Sequence, residues 1–108
     1  MNLPSEIFGD VIVVHTPEEL GEDQAEGLEA YVPALERSNV VLDLDNTELL
    51  DSAGLGAMMN VHDKLREQGG DVKIATTNAA NRKILEITRL DQQLEVFSSV
   101  IDAVKSFH

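Results

Sequence analysis

The chain has 108 residues, 43% of them hydrophobic, and carries 20 acidic against 8 basic side chains for a formal net charge of −12. That length suits a single domain over residues 1–108 with one real core, while the charge disfavours nucleic-acid binding by counterion release and docking on anionic membranes. The absence of cysteine excludes disulfides, thiolate catalysis and cysteine zinc sites.

The N-terminal Met1–Glu6 stretch shows no basic region followed by an apolar one, and no apolar run approaches the roughly 20 residues that cross a bilayer. A soluble, cytoplasmic protein without membrane insertion is the expectation. Aromatics are limited to Phe8, Tyr31, Phe97 and Phe107, so the core must be aliphatic, as in a parallel sheet covered by helices.

Ile7–Phe8 and Val11–Val14, separated by Gly9-Asp10, read as two short strands or one bent strand. Thr16-Pro17 ends that run, because proline has no N–H for a ladder. Residues Glu18 to Arg37 place Leu20, Ala25, Leu28, Tyr31, Val32 and Leu35 close to a one-sided helical stripe, with Pro33 predicting a kink or an irregular last turn. Val40 to Asp45 is the clearest strand, and Asn46 to Asp51 a polar loop. From Ser52, the positions Leu55, Met58, Met59, His62 and Leu65 repeat at three and four until Gln68-Gly69-Gly70. That spacing predicts a helix with Ser52 at its N-cap. Val72–Ala75 reads as a strand, and Asn78 as the cap of a helix reaching Thr88. Gln93–Phe97 forms a last strand. Ser98 or Ser99 opens a closing helix with Val100, Ile101, Val104 and Phe107 inward. Strands alternating with helices predict an α/β fold: a small, mostly parallel sheet of four to five strands with about four helices.

Chemical motifs are absent. Gly54-Leu55-Gly56 lacks the spacing of a phosphate-cradling loop, and Leu50-Asp51-Ser52-Ala53-Gly54 lacks the first glycine of a nucleophile elbow. His15, His62 and His108 are too scattered for a metal motif. Asp43 and Asp45 share a strand face, where solvent exposure is preferred to a metal site. The Met58-Met59 pair reads as core or contact surface, core favoured. No catalytic set, cofactor site or metal site emerges, and a non-enzymatic module is expected.

One segment stands out. Asp51-Ser52-Ala53-Gly54-Leu55-Gly56 lies between the central strand and the second long helix, so a hydroxyl there meets the free N–H groups of a helix start. Ser52 is readable as a plain cap or as a phosphorylation switch.

This hexapeptide resembles the D-S-[ST]-G-L-G signature of STAS-domain anti-sigma-factor antagonists. Gln68-Gly69-Gly70-Asp71-Val72-Lys73-Ile74 and Asn81 to Leu90 resemble two further family elements, so the likeness runs from about residue 10 to the end. The resemblance implies a STAS-like fold, Ser52 as phospho-acceptor of a serine kinase that is also the anti-sigma factor, and release of a sigma factor when the unphosphorylated chain binds that kinase. It implies a docking face of Asp51, Ala53, Gly54, Leu55, Gly56, Met58 and Met59. The chain departs from the pattern at three places. Ala53 replaces a second hydroxyl, Glu19-Leu20 only partly matches an acidic element before the first long helix, and Arg89 stands at a family glycine. The alternatives are a STAS module that binds a partner without phosphorylation, as a transport-system or sensory-complex subunit, and a small-ligand or nucleotide-binding domain.

Overall fold

Four of the five main strands run parallel, and each long helix returns the chain to the start of the next one. The computed structural model describes residues 1–107; His108, the third histidine considered above, lies outside them. The elements are β1 (Ser5–Phe8), β2 (Val11–His15), β3 (Glu19–Leu20), α1 (Glu22–Tyr31), β4 (Asn39–Asp43), β5 (Leu49–Leu50), α2 (Ser52–Glu67), β6 (Asp71–Ala75), α3 (Ala79–Ile87), a 3-10 turn (Leu90–Gln92), β7 (Val96–Phe97) and α4 (Val100–Lys105). The main sheet has the order β1-β2-β4-β6-β7 and only the β1–β2 hairpin is antiparallel. The expected α/β class, strand number and helix number all hold.

Alternation along the strands sorts side chains to two faces. Ile12, Val14, Val40, Leu42, Val72 and Ile74 join Leu28 of α1, Met58, Val61 and Leu65 of α2, and Leu85 of α3 in the larger core. Val11, Val13, Val41 and Ala75 meet Ala103 of α4 in a smaller one. Burying each such large aliphatic side chain contributes about 1.5–3 kcal/mol.

The first predicted helix is shorter than expected. Pro33 has no N–H to give the Glu29 carbonyl, so the ladder ends with Val32 N–H donating to Leu28 O at 3.1 Å. At the other end, Glu19–Leu20 forms β3 and pairs in parallel with Leu49–Leu50, which were expected to be loop. Ile101 is 65% exposed and does not face inward, because α4 is a short helix that turns only one side to the sheet. Arg89, at the family's glycine position, itself takes the left-handed conformation at φ 62° that closes the turn after α3. An arginine there bears the steric strain that glycine avoids.

Candidate partner-docking site

The segment between β4 and α2 is held from beneath by polar groups. The Thr47 hydroxyl lies 2.6 Å from that of Thr16 and 2.5 Å from the Pro17 carbonyl. Asn81, buried on α3, donates to Thr47 O at 2.8 Å. Buried polar atoms need such partners, and these bonds tie the loop to the end of β2 and to α3. β5 then pairs with β3, and Asp51 N–H donates to Leu20 O. The chain therefore enters α2 along a fixed line.

Asp51, not Ser52, caps the helix. In an extended conformation it accepts hydrogen bonds through Oδ1 from Ala53 N–H at 2.9 Å and Gly54 N–H at 3.0 Å. A carboxylate both accepts these bonds and complements the positive end of the helix dipole. Ser52 becomes the first helical residue, exposed and without a capping duty. Gly21 makes room for this arrangement: a Cβ there would lie 2.7 Å from Asp51 Oδ2.

The two glycines of the motif differ in role. A Cβ on Gly54 would sit 2.0 Å from the Leu20 carbonyl oxygen, so the bare backbone lets β3 cross the start of α2. A Cβ on Gly56 would meet nothing within 4 Å. Gly56 is an exposed mid-helix glycine with no packing reason inside the chain.

The expected docking residues divide accordingly. Asp51, Ser52 and Gly56 are exposed, Ala53 and Met59 half-buried, and Leu55 is 8% exposed at the margin. Gly54 and Met58 are buried, Met58 completely, so they support the face from beneath and present no side-chain surface to a partner.

Two features flank Ser52 that sequence reasoning missed. On one side an apolar groove of about 210 Å³ runs between α2 and the exit of α3, lined by Ser52, Leu55, Gly56, Met59, Thr88 and Leu90. On the other, a hollow of about 220 Å³ is lined by Glu19, Gly21, Glu22, Asp23, Gln24, Leu49 and Asp51. The acidic run of residues 18–23 was visible in the sequence, but its placement beside Asp51 depends on the β3–β5 pairing.

The other residues weighed as chemical candidates lie elsewhere. Asp43 is 8% exposed, contrary to the expectation of solvent exposure, because His15 covers it with Nδ1 2.8 Å from Oδ2. Asp45 instead accepts from Thr77 N–H and Oγ1. His62 lies 3.4 Å from its neighbour Asp63 and 3.6 Å from Asp71. Among the described residues no group of three or more His, Asp or Glu is disposed to hold a metal ion. No helix among them is long and apolar enough to cross a membrane.

A family model described as the STAS domain matches residues 2–103. A Thermotoga maritima protein described as a candidate anti-sigma factor antagonist is 24% identical over 106 residues, covering 94% of each chain. Its crystal structure superposes with a TM-score of 0.87 at 22% identity over 96% of this chain and 92% of that one. An anti-sigma factor antagonist from Mycobacterium paratuberculosis matches with a TM-score of 0.84 and 25% identity, over 97% and 92% of the two chains. A Bacillus cell fate determinant, solved in its phosphorylated form, is similar at a TM-score of 0.71 and 14% identity, over 99% and 100%.

Proposed function

The chain belongs to the STAS-domain family, and on that premise we propose that it is a phosphorylation-regulated anti-sigma-factor antagonist with Ser52 as the phospho-acceptor. In its unmodified form it binds a serine kinase that doubles as an anti-sigma factor, and a sigma factor is freed. Phosphate on Ser52 ends that complex.

The observation that carries this reading is the position of Ser52. Its side chain is exposed, Asp51 has taken over the cap, and the apolar groove begins at this residue. A phosphate at the first helical position meets the positive end of the dipole and leaves the fold standing. It also adds about −1.5 to −2 charge at the mouth of the groove. The contact surface is Asp51, Ser52, Gly56 and Met59, with Ala53 and Leu55 at its margin and Gly54 and Met58 beneath. A net charge of −12 and the acidic hollow beside Asp51 suit a partner with a basic patch.

The test is intact-mass measurement after incubation with ATP and serine kinases encoded in the same genome. One added phosphate is expected on the wild type and none on Ser52→Ala. No phosphate with any kinase would remove the switch and leave a STAS module that binds its partner unmodified.

A further inference from the structure

Both ring nitrogens of His15 face carboxylates: Nε2 lies 2.6 Å from Glu6 Oε1, and Nδ1 lies 2.8 Å from Asp43 Oδ2. An ionised carboxylate only accepts hydrogen bonds, and a neutral imidazole has a single N–H. With a neutral ring, one of these short contacts would set lone pair against lone pair. Only the imidazolium donates to both.

The three residues come from three adjacent strands. Glu6 belongs to β1, the exposed edge of the sheet; His15 ends β2 and Asp43 ends β4. We propose that protonated His15 latches the edge strand β1 to the sheet, and that loss of the ring proton releases it. Phe8 shares a face of β1 with Glu6 and lines an apolar groove with Val100, Ile101, Val104 and Lys105. Release of β1 therefore also uncovers one side of α4.

The surroundings leave the latch to these two carboxylates. From the N-terminal segment, only the Pro4 carbonyl meets His15, accepting its backbone N–H at 2.9 Å. Asp45 contributes its N–H to Asp43 Oδ1 and turns its own carboxylate to Thr77. Lys73, on the same face of β6, is committed to Ser106 and Glu95. α4 packs over this face with Asp102 and Lys105, and neither figures among the influences on the ring. The hydrogen bond to Glu6 is the largest influence and raises the His15 pKa above the ordinary histidine value; burial opposes it, and Asp43 reinforces it. A pKa raised by folding gives stability that is fully present below the unfolded value and lost as pH rises through the folded one.

The experiment is a pH titration of the intact chain across the histidine range, reading the imidazole nitrogen shifts and amide hydrogen exchange together. Both ring nitrogens are expected to stay protonated where a free histidine is already neutral. As the ring loses its proton, β1 protection, corrected for intrinsic exchange, should fall severalfold while the β4–β6 amides hold. In Glu6→Gln the amide can donate to a neutral ring, so the ring midpoint should drop and β1 protection should stop following pH. A wild-type ring that is neutral throughout that window, or β1 protection that ignores the ring's titration, overturns the latch. The wild-type titration decides this whichever way the variant folds.

Discussion

Gly54→Ala is expected to destabilise the protein by about 3 kcal/mol, while Gly56→Ala, two residues along the same helix, stabilises it by about 0.5–1 kcal/mol. At Gly54 the added carbon would overlap the Leu20 carbonyl at 2.0 Å. Relief requires α2 to move off β3, which breaks the β3–β5 pairing and disturbs the Asp51 cap. At Gly56 the carbon enters open space, and only the helix-propensity gain remains. Thermal melts of the two variants should move in opposite directions, the first by more than about 10 °C downward. The Gly56 variant carries a second reading. If a partner's backbone or side chains approach α2 closely there, Gly56→Ala gains stability and loses affinity together, a combination that a purely internal role does not produce.

Phosphorylation of Ser52 is expected to weaken binding to the kinase partner at least about 100-fold, or roughly 2.7 kcal/mol, while changing folding stability by no more than about 1 kcal/mol. The two effects separate because the phosphate faces solvent at one boundary and a protein at the other. Within the chain, the positive end of the α2 dipole offsets its repulsion from Asp51. Against a docked partner, the new charge and bulk stand at the rim of an apolar groove that would have to close over Leu55 and Met59. Isothermal titration of the kinase with unmodified and phosphorylated protein measures the first quantity, and circular dichroism melts the second. Equal affinities would mean that the partner does not touch Ser52.

Much of this architecture was legible in the residues. Val40 to Leu44 and Val72 to Ala75 are aliphatic runs rich in β-branched residues and broken only by Asp43 and Lys73, and α2 shows a helical repeat from Leu55 to Leu65, over about three turns. Such signals are local, and the chain folds as they indicate. The β3–β5 pairing was not legible, because two-residue strands owe their existence to the backbones that tertiary contacts bring together. Leu20 fitted a helical stripe by spacing and yet belongs to a strand. The spacing put the cap of α2 one residue late, at Ser52: Asp51 is as good a cap residue, and Gly21 leaves room for its carboxylate. The motif at residues 51–56 drew attention to one side of a groove, but Thr88 and Leu90 line its other side from a segment more than thirty residues away. Met58, which only the family resemblance put on the docking face, is core, as the residue pattern favoured, because its side of α2 turns to the sheet.

If a partner docks on the α2 face around Ser52, amide chemical-shift mapping of the unmodified protein with the kinase that phosphorylates it shows the contact surface. The expected footprint covers Ser52, Gly56, Met59, Thr88 and Leu90 and leaves the α4 side of the sheet untouched. A footprint centred on Phe8, Val100 and Ile101 instead would contradict it.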